Sequence, residues 1–317
     1  MEWNQVVDLF ASELGQVSRA ALRKEAEALS RHYREESPWH PSTLAMGLAY
    51  VLTRMPATYH ALLAVFSEVA ARVPTPPRSL LDVGAGPGTA LLAISEVFPR
   101  LQDATALEPN DVMRALGERL TRSCPWPVRW HRESLHPSLQ LPPSDWVVAS
   151  YLLGELPPAF RGQAVKTLWQ RTEQVLILVE PGTSRGFDRI RQARDLLLAE
   201  GGHMVAPCPH AASCPIVPPD WCHFSVRVPR TREHKQLKNA TAPYEDEKFA
   251  YLAMSRAPVP LAPSRIIRHP WRQPGDIRLT LCTPHGLTIA EVTRRDKALF
   301  RQARKAEWGD AWPMSEP

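Results

Sequence analysis

Four of the five cysteines fall late in the chain, at Cys208, Cys214, Cys222 and Cys282, and four thiolates are a full donor set for a metal centre. The first three are separated by five and seven residues, and Cys208 and Cys214 are each followed by proline. The Pro-His-Ala-Ala-Ser segment between those two is short and polar, a loop able to wrap a metal while its thiolates converge. Zinc sites favour cysteine pairs with about two to four residues between them, closer than these. An iron–sulfur cluster also takes four thiolates, tolerates irregular spacing and often has Cys-Pro nearby. Spacing therefore leaves zinc and iron–sulfur level, with four unrelated core cysteines as the plainer alternative. His203, His210 and His223 stand nearby as spare donors, though each also reads as a loop or surface histidine. Cys124, before Pro125-Trp126-Pro127, reads as an ordinary free cysteine.

A second chemistry is written in Leu80-Leu81-Asp82-Val83-Gly84-Ala85-Gly86-Pro87-Gly88-Thr89, where an apolar run enters a glycine-rich turn and then a helix. Glycines let the backbone turn tightly and approach a ligand where a β-carbon would collide. Glu108 ends the next apolar run, twenty positions after Gly88, where an acid can accept both hydroxyls of a ribose. Asp82 either faces the amino-acid end of S-adenosylmethionine or merely caps the turn. Glu133 is a candidate for adenine contact, or a solvated loop acid. The dinucleotide fingerprint competes, but it places its third glycine further inside the helix. The D-x-G-x-G-x-G form is closer to the first motif of class I methyltransferases, with a ligand-free structural turn as the remaining reading.

The run after the fourth strand, Ala149-Ser150-Tyr151-Leu152-Leu153-Gly154-Glu155-Leu156-Pro157, lacks the N/D-P-P-Y/F motif that holds exocyclic amino groups for methylation. No cysteine stands as a nucleophile for pyrimidine carbon methylation. No catalytic residue can be named. Either the chemistry is mainly positioning, or the fold binds cofactor without transferring its methyl group.

The elements that must position these residues alternate. Strands are predicted at 79–83, 104–107, 128–131, 146–150 and 175–179, with helices at 89–98, 112–122, 161–170 and 188–200. That alternation predicts an α/β fold, a Rossmann-like parallel sheet with helices on both faces. Residues 1–73 read as an N-terminal helical cap, with one helix over 3–36, breaks at Ser37-Pro38 and His40-Pro41, and Pro56 starting a further helix. Residues 74–262 are expected to form the main domain, with a cysteine-rich segment at 202–242 that reads as an insertion, or as a loop followed by a strand over 223–228. A strand over 249–255 then resumes the fold. Residues 263–317 form a small β-rich unit with strands at 277–281 and 287–292 and a basic helix at 297–306. If Cys282 shares a centre with the other three cysteines, it clips that unit to the main domain.

The 317 residues are 44% hydrophobic and 22% charged, which fits an ordinary globular core. The 32 prolines gather in connecting stretches such as Pro74, Pro76 and Pro77, or Pro142 and Pro143. A charge of +5 fits a nucleic-acid partner without requiring one. No run approaches the roughly 20 apolar residues of a membrane span. Early acids at Glu2, Asp8 and Glu13 are unlike a targeting segment, so a cytoplasmic, bacterial-type protein is expected.

The combination of Arg54-Met55-Pro56-Ala57-Thr58-Tyr59, the turn at 82–89, Glu180-Pro181-Gly182-Thr183 and the Cys-Pro-His…Cys-Pro…Trp-Cys-His-Phe segment resembles a known family. It is similar to the methyltransferase-like assembly proteins of the small ribosomal subunit found in mitochondria and bacteria, over about residues 31–308. That resemblance implies a class I methyltransferase fold, S-adenosylmethionine as ligand and small-subunit ribosomal RNA, with its ribosomal proteins, as partner. It also implies a 4Fe–4S cluster on Cys208, Cys214, Cys222 and Cys282, where spacing left zinc open. It does not imply activity or a target nucleotide.

Two basic segments could meet RNA phosphates: Arg227, Arg230, Arg232, Lys235 and Lys238, and then Arg294, Arg295, Lys297, Arg301, Arg304 and Lys305. The second has only Asp296 as a nearby acid and is the more persuasive. Trp271, Trp308 and Trp312 could stack on unpaired bases or fill core. Two rivals remain: a non-catalytic assembly factor using the fold as scaffold, and a small-molecule methyltransferase with a zinc knuckle.

Overall fold

A computed structural model describes residues 3–35, 39–139 and 143–313. Glu2, the Ser37-Pro38 break and Pro142 lie outside them. The N-terminal cap holds α1 (Trp3–Leu9), α2 (Ala11–Gln16), α3 (Arg19–Glu35), α4 (Leu44–Thr53) and α5 (Met55–Ala70). The single helix expected over 3–36 is thus three. Phe10 and Val17 leave helical geometry at the joints, and the turns they make let Val6, Phe10, Leu22 and Ala26 all reach the core. Thr43 caps α4 by accepting from the Met46 N–H, and Pro56 sits in the first turn of α5, where its missing N–H costs nothing.

The main sheet follows. Its elements are β1 (Ser79–Val83), α6 (Thr89–Val97), β2 (Asp103–Leu107), α7 (Asp111–Leu120), β3 (Val128–His131), β4 (Ser144–Ser150), α8 (Pro158–Gln170), β5 (Thr172–Pro181) and α9 (Ser184–Ala199). Then come β6 (His203–Ala206), β7 (Phe224–Pro229), α10 (Arg232–Leu237) and β8 (Tyr244–Ser255). Strand order is β3-β2-β1-β4-β5-β8-β6, with β7 also on β8. The first five strands are parallel, whereas β8 runs antiparallel to β5, β6 and β7.

The central strands β1, β2, β4 and β5 are buried on both faces, which is why they read as mostly apolar runs, whereas the edge strand β3 is half-exposed. Strand alternation sends Leu80, Val175, Ile177 and Val179 into one core with the cap, α6 and α7. It sends Leu81, Val83, Leu176 and Leu178 into the other, under α8 and α9. The segment 202–242, expected as an insertion, is corrected in part: β6 and β7 belong to the main sheet, and the cysteine loop runs between them. Two short strands amid Pro, Cys and His leave little periodicity to read.

A separate sheet, β10 (Trp271–Gln273), β11 (Asp276–Thr283) and β12 (Gly286–Thr293) with β9 (Arg265–Ile266) on β11, carries α11 (Lys297–Ala303) and its own small core. Arg265, 1% exposed, ties this unit down. It donates to Glu68 of α5 at 2.6 Å, to the Pro207 carbonyl and to the Gly309 carbonyl.

Candidate functional site: a crevice at the strand ends and a four-cysteine cavity

The chain leaves β1 through three glycines in the left-handed region, at φ 71°, 55° and 78° for Gly84, Gly86 and Gly88. Gly86 donates its N–H to Glu108 Oε2 at 2.8 Å, and Asn110 donates to Glu108 Oε1 at 2.8 Å. The acid at the end of β2 is therefore locked beside the turn with lone pairs to spare. Gly88 does a different job. A β-carbon there would come within 2.7 Å of Thr121 and 3.3 Å of Trp130, so this glycine lets α6 pack closely.

Beyond these residues lies a crevice of about 250 Å³ at the carboxyl ends of β1, β2, β4 and β5. Ligands settle there in doubly wound sheets. Gly84, Gly86 and Glu108 line it, and the cap closes it with Tyr33, Trp39 and Tyr50, the last two stacked at 5.6 Å. Asp82 lies beneath the turn, fully buried, with neither carboxylate oxygen hydrogen-bonded among the described residues. Burial and the neighbouring Glu108 push its carboxyl up to about 8. Glu133 is not among the residues lining the crevice; its carboxylate meets His136 at 2.9 Å.

The loop after β4 supplies residues the sequence reading passed over. Tyr151 holds φ 58°, a conformation that costs a bulky residue about 1–2 kcal/mol, and the surroundings fix it. Its N–H donates to the Val179 carbonyl at 2.6 Å and its hydroxyl donates to Glu247 at 3.0 Å. Glu247 in turn takes both arms of Arg54, at 2.8 and 2.5 Å, tying the cap to β8. Buried Glu180 accepts from the Leu153 N–H at 2.9 Å and from Arg189 of α9 at 2.6 Å. Glu155 also lines the crevice; loss of water there, with Glu108 and Glu180 near, pushes its carboxyl up to about 7. Only backbone strain at Tyr151 marks this loop, and a sequence does not show φ.

All four late cysteines line one cavity of about 40 Å³ between α9, the loop after β6 and β11. Cys282 Sγ lies 3.6 Å from His210 Nε2. Burial raises the Cys208, Cys222 and Cys282 thiols, the last to about 12, and the neighbouring thiols push each further up. The Arg194 and Arg265 guanidiniums oppose that rise at Cys208 and Cys282. Arg194 is itself fixed by the carbonyls of His210 and Ala212. Among the described residues there is no group of three or more His, Cys, Asp or Glu side chains set to hold a metal ion. The four thiols share that cavity with two buried cations, Arg194 and Arg265, whose charge would answer thiolates held out of water. His223 packs between Trp221 and Trp308, away from that role, and Cys124 lies elsewhere, against the Leu91 carbonyl.

Of the two basic segments, the first is partly neutralised: Arg227 pairs with Asp246, and Arg230 and Lys238 share the single carboxylate of Glu245. The C-terminal run is exposed and meets no carboxylate among the described residues. Trp271 is 46% exposed with Arg278 over its ring, whereas Trp312 is core.

A parallel sheet in this strand order, closed by antiparallel strands and carrying a glycine turn and acid at its open end, is a class I methyltransferase fold. Solved structures with a likeness include magnesium protoporphyrin IX methyltransferase (ChlM) from Synechocystis PCC 6803 with bound SAM. It is 12% identical, with TM-score 0.42, over 73% of this chain and 91% of that one. Another is the plantazolicin methyltransferase BpumL, 15% identical, with TM-score 0.41, over 75% and 98%. Both are distant, and the fold rests on the strand order.

The chain belongs to the family described as Mitochondrial small ribosomal subunit Rsm22, whose model matches residues 45–313. It is 30% identical to the Ribosome assembly protein METTL17, mitochondrial, of Homo sapiens, over 94% of this chain and 67% of that protein. It is 27% identical to the Rsm22-cox11 tandem protein 2, mitochondrial, of Schizosaccharomyces pombe, over 99% of this chain and 50% of that one. The chain thus spans only half of the fission-yeast relative. These relatives overturn the cytoplasmic, bacterial-type expectation, since all carry mitochondrial names. That expectation leaned on early acids such as Asp8 and Glu13, which lie in helices α1 and α2.

Proposed function

We propose that this chain binds S-adenosylmethionine in the strand-end crevice and works on small-subunit ribosomal RNA during mitochondrial ribosome assembly. The observation that carries the reading is Glu108, held by the Gly86 and Asn110 N–H groups at the lip of a crevice with an aromatic roof. In this reading Glu108 accepts the ribose hydroxyls, the Gly84–Gly86 backbone lies against the ligand, and Asp82, buried outside the crevice lining, acts from beneath the turn. Gly88 and Glu133 act at one remove, through packing of α6 and through the loop after β3. A methyl group on a sulfonium is what the cofactor supplies when bound; the chain's part is to orient it and keep water out.

We further propose that Cys208, Cys214, Cys222 and Cys282 hold a 4Fe–4S cluster, with zinc as the alternative. Four thiols lining one cavity, with Arg194 and Arg265 beside Cys208 and Cys282, support this. The bound centre would lock the cysteine loop to β11 and so fix the C-terminal basic face for RNA and neighbouring ribosomal proteins.

A scaffold without methyl transfer is the second reading, and one observation favours it. The Tyr151 hydroxyl and the Tyr151 and Leu153 N–H groups of the loop after β4 are spent inside the protein, on Glu247, Val179 and Glu180, which leaves Glu155 as that loop's carboxylate at the crevice. Isolated small-subunit RNA incubated with methyl-labelled S-adenosylmethionine decides between the two: label in the RNA makes the chain an enzyme. Binding without label makes it a scaffold.

A further inference from the structure

An open cleft of about 610 Å³ lies on the far side of Tyr33 from the crevice, walled by α3, the end of α4 and the connection from β7 through α10 to β8. Five cations line it: Arg31, Arg34, Arg54, Arg230 and Lys238. The carboxylates do not balance them. Glu245 is shared between Arg230 at 2.9 Å and Lys238 at 3.4 Å, so one charge of that pair is unanswered. Glu27 is held by Arg23 at 3.2 Å, and Arg54 is spent on Glu247. Arg31 and Arg34 are exposed and meet no carboxylate among the described residues. Cations strung along an open channel fit a row of phosphates better than one small anion.

The cleft and the crevice share Tyr33. The Arg54 guanidinium lies 4.2 Å over the Tyr33 ring and 5.2 Å from the Tyr151 ring on the crevice side. Just beyond stand Trp39 and Tyr50, stacked at 19°. A basic track leading to flat aromatic surfaces is how proteins hold single strands, backbone on charge and bases on rings.

We propose that this cleft is the track for a single-stranded RNA backbone and that it delivers one unstacked base past Tyr33 to the aromatic wall of the crevice. The inference rests on the RNA reading above and adds the surface and the form of RNA bound.

The test uses the full chain with its metal centre and a labelled single-stranded RNA of about twelve nucleotides, titrated over a series of salt concentrations. Arg31→Gln with Arg34→Gln leaves the core untouched, because both side chains are exposed. It should weaken binding by a similar factor for any sequence. The line of log Kd against log salt should also flatten by about 1.4, two lost contacts at about 0.7 each for a single strand. Photo-crosslinks from 4-thiouridine should map to α3 and the α10 connection. A double variant of α11, Arg301→Gln with Arg304→Gln, is the comparison. Full affinity in the cleft variant, with crosslinks confined to α11, overturns the cleft and leaves the RNA reading standing. A wild-type chain that binds no RNA overturns both.

Discussion

Gly86 and Asp82 carry the sharpest consequences for single residues. A β-carbon at Gly86 finds space, 3.7 Å from Met113, but φ 55° is hostile to a branched side chain. Gly86→Val should cost about 1–3 kcal/mol of stability and abolish cofactor binding, read by denaturation and calorimetry. Burial pushes the Asp82 carboxyl up to about 8 in the fold, while in the unfolded chain it ionises near its ordinary 3.8. The native state therefore binds the extra proton between those values, and stability falls as pH rises through the window. From pH 6.5 to 8, where buried His234, held at about 4, is neutral in the fold, the share of that loss due to Asp82 should reach about 1.4 kcal/mol per unit at most, with Glu155, near 7, adding its own. Asp82→Asn should flatten that slope in urea titrations at the two pH values; an unchanged slope removes Asp82 from the account. If the four thiols hold the proposed cluster, Cys214→Ser should strip colour and most of the iron from the chain. Colourless wild-type protein with one zinc would favour the alternative metal. The glycines, Glu108 and the cysteines were legible because their types have few other uses. Tyr151, Arg54 and Glu155 were not, since each becomes special only through a partner distant in sequence.

At the level of elements, the alternation of apolar runs and amphipathic stretches located β1 to β5 and the helices between them, because a central strand buried on both faces has no polar side to blur it. Boundaries moved by a few residues where caps decide them, as at Thr183, which accepts from the Gly186 N–H and starts α9 early. The three-part N-terminal helix was hidden because Phe10 and Val17 break helical geometry without Gly or Pro. The strands β9 and β10, two and three residues long, are too short to show a period. Docking of the C-terminal unit turns on Arg265. Arg265→Ala leaves the Pro207 and Gly309 carbonyls without this donor, while Glu68 keeps Arg72 at 2.6 Å, and should cost about 1–3 kcal/mol in urea unfolding. The loop before β9 should then become the first site of limited proteolysis. Unchanged stability and cleavage would show that the unit docks by other contacts.

Across the whole molecule, α9 joins the two sites. Arg189 holds Glu180 under the crevice, and one turn further Arg194 holds the cysteine loop. Removing the metal by chelation should therefore weaken S-adenosylmethionine binding, by about fivefold if the coupling sits at the low end of the usual range. Equal affinities with and without metal would show that α9 transmits nothing. Among the described residues no helix is long and apolar enough to cross a membrane. The most direct measurement of the central claim is calorimetric titration of S-adenosylmethionine into the metal-loaded chain. One equivalent bound by the wild type, and none by a folded Gly86→Val chain, is the predicted result. A wild-type chain that takes up no cofactor at millimolar concentration would contradict it.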